Sequence, residues 1–249
     1  MKAMVLAAGL GTRLRPLTDD RPKALVQVAG RTLLEITLAR LRACGIREVI
    51  VNVHHFAHMV LEYLKTHDDF GMRIEVSQEE TLLDTGGGLK KAAWFFLEDS
   101  HHNEPFILHN VDVISTIDLG RMVQFHTENQ VLVTLAVQNR ETARNLLFDE
   151  QHQLCGRRTG RDPNTEIVRP AQQTQALAFS GVHVISRQLL KMMTEEGNFS
   201  IIDCYLRLAA QGEKVLAFRA DEYDWRDLGK PENVKQATKD VVQKVLLLQ

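Results

Sequence analysis

Cysteine is scarce in this chain: Cys44, Cys155 and Cys204 are its three cysteines in 249 residues, and they lie far apart. That spacing excludes a disulfide framework and a zinc-finger pattern, and the odd count points to a reducing compartment. Long apolar runs are also missing. No stretch approaches the ~20 apolar residues of a membrane-spanning helix. The apolar run that opens the chain is too short for a secretory signal and leads directly into Arg13 and Arg15. Nor is there an excess of either charge, since 30 basic residues face 32 acidic ones. This argues against a broad nucleic-acid or membrane surface and leaves room only for a local basic pocket. Internal repeats, low-complexity tracts and flexible linkers are absent. With 44% apolar and 25% charged residues, the chain reads as one large globular domain or two small ones. A cytoplasmic enzyme is the expectation.

What is present is concentrated near the start. Met4 to Leu25 reads MVLAAGLGTRLRPLTDDRPKAL. A short apolar run is followed by Gly9 and Gly11, which carry no side chain to keep a backbone away from phosphate oxygens. Arg13 adds a planar fork of donors and Lys23 a mobile point charge, both suited to phosphate. Two common phosphate motifs do not fit. A dinucleotide turn needs glycine or alanine where Leu14 stands, and no Gly-Lys-Ser/Thr closes the loop as a Walker motif requires.

Downstream, strand-like and helix-like segments alternate. Strands are expected at Lys2–Ala7, Glu48–Val53, Arg73–Val76, Phe106–Leu108 and Val131–Val137. Helices are expected at Thr32–Ala43, Ala57–Thr66, Thr85–Leu97 and Asp118–Glu128. This order predicts an α/β fold with a mainly parallel sheet covered on both faces, whose ligands gather at the carboxyl ends of the strands. From Asn139 onward shorter strands dominate: Leu146–Phe148, Leu154–Arg157, Ala176–Ile185 and Val215–Arg219. A turn is expected at Asp162-Pro163-Asn164, with helices at Gln188–Glu195, Ile201–Gln211 and Glu232–Leu247. This second half is expected as a lobe packed beside the sheet.

Asp112 follows an apolar strand immediately, and Asp227 lies in Asp224-Trp225-Arg226-Asp227-Leu228-Gly229. Either aspartate alone could serve a turn or a helix cap. Together, beside a phosphate loop, they form a hard-oxygen pair suited to Mg²⁺. Other clusters read as structural. His54, His55 and His58 lack a supporting Glu-x-x-His arrangement, and they are assigned to packing or surface, as are His101 and His102. Ser180 lacks a nucleophile elbow, and Trp94, Phe95 and Phe96 are assigned to helix core.

These segments resemble one family, the sugar-1-phosphate nucleotidylyltransferases, also called nucleotide-sugar pyrophosphorylases. Leu6 to Leu14 resembles the family's opening loop, Arg21-Pro22-Lys23 its lysine motif and Asp84-Thr85-Gly86-Gly87-Gly88 its nucleotide loop. Asn110-Val111-Asp112 resembles its first metal segment, Phe179-Ser180-Gly181 its sugar-side strand and Trp225 to Gly229 its second metal segment. Among its members the chain looks most like the compact N-acetylmuramate 1-phosphate uridylyltransferases, followed by the heptose 1-phosphate guanylyltransferases.

The resemblance implies a single Rossmann-like three-layer αβα nucleotidyltransferase domain over 1–249. Its nucleotide-binding half would be 1–138 and its sugar-binding half, a small β-rich lobe, 139–249, with no C-terminal β-helix. It implies transfer of a nucleoside monophosphate from an NTP to a sugar 1-phosphate, for cell-wall or surface-polysaccharide precursors. Arg13, Lys23, Asp112 and Asp227 would be catalytic, the two aspartates holding Mg²⁺. Ala7, Ala8, Gly9, Gly11, Thr12, Arg13, Lys23, Gln78, Thr85, Gly86, Gly87 and Asn110 would surround the nucleotide. Asn145, Phe179, Ser180, Gly181 and Asp227 would line the sugar. No nucleic-acid or membrane partner is expected, and the protein would be a monomer or a small homo-oligomer.

Two departures from the family stand out. Val111 replaces a usual glycine and is expected to crowd the sugar edge. The Glu-Lys-Pro motif of larger relatives is absent, with Glu166-Ile167-Val168-Arg169-Pro170 a distant echo that offers Arg169 for the acceptor phosphate. Alternative readings are a heptose or mannose 1-phosphate guanylyltransferase, a phosphocholine-type cytidylyltransferase, or a non-catalytic regulatory subunit that binds nucleotide sugars.

Overall fold

The computed structural model describes residues 1–98, 104–160 and 164–242. His101 and His102, the Asp162-Pro163 part of the expected turn and the last residues of the expected terminal helix lie outside the described residues. In chain order the strands are β1 (Lys2–Leu6), β2 (Gln27–Val28), β3 (Arg31–Thr32), β4 (Glu48–Val53), β5 (Arg73–Gln78), β6 (Phe106–Asn110) and β7 (Val113–Ser115). They continue as β8 (Val133–Gln138), β9 (Arg144–Phe148), β10 (Leu154–Thr159), β11 (Asn164–Ile167), β12 (Gln175–Ile185), β13 (Val215–Arg219) and β14 (Trp225–Asp227). The helices are α1 (Leu33–Ala43), α2 (Ala57–Thr66), α3 (Asp84–Lys91), α4 (Ala93–Leu97), α5 (Leu119–Glu128), α6 (Gln188–Met192), α7 (Ile201–Ala210) and α8 (Pro231–Val242).

The apolar runs form strands buried on both faces, as continuous rather than alternating hydrophobicity requires. Every residue of β1 is buried, with Ala3 and Val5 facing one core and Met4 and Leu6 the other. Strands β5, β4, β1 and β6 pair in parallel, β12 runs antiparallel to β6 and β8, and β13 runs parallel to β8. Helices α1, α2, α5 and α8 cover one face and α3, α4, α6 and α7 the other, giving three αβα layers. The boundaries have local causes. Thr32 caps α1 by accepting the Glu35 N–H at 3.0 Å, a Thr-x-x-Glu start, and Gly45 at φ +81° follows its end. Among the described residues no helix is long and apolar enough to cross a membrane.

Four expectations change. The second half of the chain does more than pack beside the sheet, because β12 and β13 complete it. Gly181, at φ +75°, kinks β12 where its register shifts between Phe179 and His183. A Cβ on Gly181 would lie 2.8 Å from Val113 Cγ2. The kink sends the first part of β12 to β9, and β9, β10 and β11 form the small β lobe, in which Asn164 opens a strand instead of a turn. The helix expected over Thr85–Leu97 breaks at Ala92. Phe95 and Phe96 are buried there, but Trp94 is 48% exposed and so is not core.

Candidate active site

Strand β1 ends at Leu6, and the chain then folds back over its own carboxyl edge. Gly11 sits at φ +65°, a conformation that L side chains rarely adopt. Its carbonyl accepts from Thr18 Oγ1 at 2.8 Å, and a Cβ there would meet Thr18 Cγ2 at 2.9 Å. The loop is thus closed on itself, leaving Thr12 and Arg13 exposed. Lys23 reaches back over it: Nζ would lie 3.5 Å from a Cβ on Gly9, and it pairs with Asp112 Oδ2 at 3.0 Å.

The two aspartates, distant in sequence, meet through two three-residue strands. Strands β7 and β14 pair antiparallel with Asp227 opposite Val113, and Leu228 N donates to the Asp112 carbonyl at 2.8 Å. Asp227 Oδ1 accepts the Gly229 N–H at 2.7 Å. A Cβ on Gly229 would lie 2.8 Å from both Arg13 Nη2 and Asp227 Oδ1, so glycine there lets the guanidinium lie beside the carboxylate. Arg226 pairs with Asp240 and ties this strand to α8. Gly9, Arg13, Lys23, Asp112 and Asp227 therefore form one cluster. Asp112 Oδ1, Asp227 Oδ2 and the Arg13 guanidinium make no hydrogen bond or ion pair to the described residues.

A buried polar relay builds the edge expected to face a nucleotide. Ala7 N donates to Asn52 Oδ1 at 2.7 Å, Asn52 Nδ2 to Glu79 Oε1 at 2.7 Å, and Leu83 N to Glu79 Oε2 at 3.0 Å. This relay brings Ala7, Ala8 and the start of α3 to the same sheet edge, where exposed Gln78 ends β5. Gly88 leaves room for it, since a Cβ there would stand 2.7 Å from Asn52 Nδ2. Thr85, Gly86 and Gly87 carry a packing duty. Thr85 Oγ1 accepts from Ile201 N at 3.0 Å, Gly86 N donates to the Phe199 carbonyl at 2.9 Å, and a Cβ on Gly87 would strike the Gly197 carbonyl at 2.3 Å.

On the side expected to line a sugar, Asn110 ends β6 with its Nδ2 3.0 Å from where a Gly181 Cβ would be. The Ser180 carbonyl accepts from Trp225 Nε1 at 2.7 Å, and the Phe179 carbonyl from Arg140 Nη2 at 2.7 Å. Phe179, Ser180 and Gly181 are thereby joined to the Asp227 strand. Asn145 is not: its Nδ2 donates to the Thr142 carbonyl at 3.2 Å, on the β9–β10 ribbon. Arg169 pairs with Asp149 and is engaged away from the cluster. Val111 is fully buried in the core with Ile107 and Val113, so its side chain fills packing space and does not crowd the sugar edge. The histidines near α2 hold no metal cluster. His54 Nδ1 bonds the Glu79 carbonyl, and among the described residues no group of three or more His, Cys, Asp or Glu is placed to bind an ion.

Sequence reasoning passed over Asn52, Glu79 and Arg140. A polar residue inside the apolar run Glu-Val-Ile-Val-Asn-Val was the available signal for Asn52. A separate cleft of about 690 Å³ opens between Pro16, Asp20, Arg21 and the α8 residues Val234 and Lys239. Its lining includes none of Gly9, Asp112 or Asp227.

Comparison with known proteins shows the family to which the chain belongs. The chain is 34% identical over 241 residues to an N-acetylmuramate alpha-1-phosphate uridylyltransferase from Caulobacter vibrioides, covering 92% of each chain. It is 28% identical to a mannose-1-phosphate guanylyltransferase from Mycobacterium tuberculosis, covering 97% of this chain and spanning 64% of that relative's length. The crystal structure of HddC from Yersinia pseudotuberculosis complexed with GMP-PN superposes with a TM-score of 0.75. At 20% identity, over 96% of this chain and 99% of that one, it shows the shared fold. The sequence pattern described as nucleotidyl transferase matches residues 2–244, and the protein belongs to the nucleotidyl transferase family.

Proposed function

We propose that this nucleotidyltransferase moves a nucleoside monophosphate from an NTP to a sugar 1-phosphate, giving an NDP-sugar and pyrophosphate. UTP and N-acetylmuramate α-1-phosphate are the leading substrate pair, supported by the identity to the Caulobacter enzyme. The observation that carries the reading is the meeting of the Gly9–Gly11 loop, Arg13, Lys23, Asp112 and Asp227 at one sheet edge. Residues 1–249 would work as a single catalytic domain in the cytoplasm, where nucleoside triphosphates are made.

Both substrates are anions, so the site must neutralise and align them. Backbone N–H groups around Gly9 and Gly11 would face the triphosphate, with Arg13 donating to the oxygens that depart as pyrophosphate. Lys23, held above Gly9 by Asp112, would donate to the α-phosphate. An oxygen of the sugar phosphate then attacks the α-phosphorus in line with the leaving pyrophosphate. One P–O bond forms as another breaks, and no proton needs to move.

The two aspartates fit a divalent cation of the Mg²⁺ type. Each keeps one carboxylate oxygen free of hydrogen bonds to the described residues, and these are hard donors, Asp227 on β14 and Asp112 just before its partner strand β7. Two protein ligands leave coordination positions for substrate phosphates and water, the usual arrangement for Mg²⁺. When bound, such an ion neutralises phosphate charge and fixes the geometry of the two substrates. The test is a panel of the four ribonucleoside triphosphates and dTTP against sugar 1-phosphates with Mg²⁺. Pyrophosphate release with at least one pair is expected, and silence across the panel would overturn the reading.

A further inference from the structure

The turn between β8 and β9 carries Arg140, which is half-buried. The Arg140 Cζ lies 3.7 Å from the centroid of the Trp225 ring, so the guanidinium rests on the indole. Its Nη2 donates to the Phe179 carbonyl, and the indole Nε1 to the Ser180 carbonyl, each at 2.7 Å. Both members of the stack are therefore fastened to the kinked part of β12. Trp225 and Asp227 are two residues apart on β14 and so project from the same face of the strand.

What the guanidinium lacks among the described residues is an anion. There Nε is buried without a hydrogen-bond partner, Nη1 makes no hydrogen bond, and no carboxylate lies within 4.0 Å. Arg157, Arg169, Arg207, Arg219 and Arg226 of the same half of the chain each pair with a carboxylate. Burial weakens the basicity of Arg140, and the nearby charge of Asp227 partly restores it. A half-buried cation with an orphaned donor is unfavourable until an anion arrives. Positions along the strand indicate which anion. Asp227 stands between two arginines, Arg13 beyond Gly229 on one side and Arg140 over Trp225 on the other. Arg13 belongs to the triphosphate loop, which leaves Arg140 for the other phosphate.

We propose that Arg140, presented on the Trp225 ring, receives the phosphate of the sugar 1-phosphate acceptor. This rests on the nucleotidyl-transfer reading above. In-line attack needs the incoming phosphate on the side of the α-phosphorus opposite the departing pyrophosphate, and two arginines flanking Asp227 supply one cation to each side. A guanidinium already stacked and hydrogen-bonded loses little freedom on binding, which suits a positioning anchor.

Steady-state kinetics of Arg140→Ala and Arg140→Lys, with each substrate varied in turn, test the assignment. Loss of one charge-assisted contact is expected to raise the acceptor KM about 10- to 100-fold in Arg140→Ala, while the NTP KM stays within about twofold. Arg140→Lys keeps the charge and the fold, so a smaller rise in the acceptor KM alone is expected. Added guanidinium ion is expected to restore part of the Arg140→Ala rate. An unchanged acceptor KM in a folded variant would overturn the proposal, as would equal rises for both substrates. A rise confined to N-acetylmuramate α-1-phosphate, and absent with mannose or glucose 1-phosphate, would also overturn it, since Arg140 would then be reading the sugar's carboxylate. A wild-type protein silent with every pair would instead mark failure of the underlying reading.

Discussion

Lys23 Nζ lies 3.0 Å from Asp112 Oδ2, which joins the opening loop of the chain to the strand end that carries the first aspartate. Both side chains are mostly shielded, at 14% and 12% exposure, so the pair is more than a surface contact screened by water. It occupies one oxygen of Asp112 and fixes the ammonium above Gly9, where an α-phosphate would lie.

The two residues should behave as one unit. Lys23→Met and Asp112→Ala are each expected to lower turnover by at least ~10²-fold, the scale of losing a key charge stabiliser. The double variant is expected to lose far less than the product of the two single losses, because either change disables the same arrangement. A double-mutant cycle on kcat measures this. Strictly multiplicative losses would show that Lys23 and Asp112 act independently.

Gly229 offers a test in which steric conflict is confined to the site. Its backbone is not in the left-handed region, and an added Cβ meets only the Arg13 guanidinium and the Asp227 carboxylate at under 3 Å. Gly229→Ala is expected to cut turnover strongly while leaving the thermal midpoint nearly unchanged. Gly11→Ala is different, because φ +65° alone costs about 1–2 kcal/mol. That variant is expected to lose stability as well as NTP affinity. Comparable melting losses in both would argue against the placement of Gly229.

Three buried histidines make the fold sensitive to acid. Burial holds His109 and His183 down to about 3, aided at His109 by the Arg40 charge, and His126 down to about 4. An unfolded histidine protonates near 6.5, so below that pH the unfolded chain binds protons that the native chain refuses. Each group then removes about 1.4 kcal/mol of stability per pH unit as pH falls from 6.5 toward its native value. Above 6.5 the effect is absent. Thermal midpoints are expected to hold above neutrality and fall between about pH 6.5 and pH 5. His183→Asn, which keeps a polar atom for the Tyr205 hydroxyl, is expected to flatten that slope. An unaltered slope would remove His183 from this account.

Much of the fold was legible because its signals are local. The continuous apolar runs of β1, β4 and β6 and the spacing of α1 and α2 are set by burial, which composition and periodicity record. The family motifs supplied both aspartates, but not how they meet. That depends on β7 and β14, strands of three residues whose sequences, Val-Ile-Ser and Trp-Arg-Asp, carry no periodicity. Arg140 was illegible for a related reason. In Gln-Asn-Arg-Glu-Thr it looks like a solvated turn, and only folding brings it onto Trp225. Val111 and Trp94 were misplaced because a strand or helix register decides which face a side chain takes. One is wholly buried and the other half exposed.

The central claim is that the loop, its two cations and the two aspartates form a single catalytic centre. The most direct measurement is the initial rate of pyrophosphate release by Asp227→Ala at saturating substrates and Mg²⁺, with circular dichroism confirming the native fold. A rate at least ~10²-fold below the unaltered protein is the result this account predicts. A folded variant turning over at the unaltered rate would contradict it.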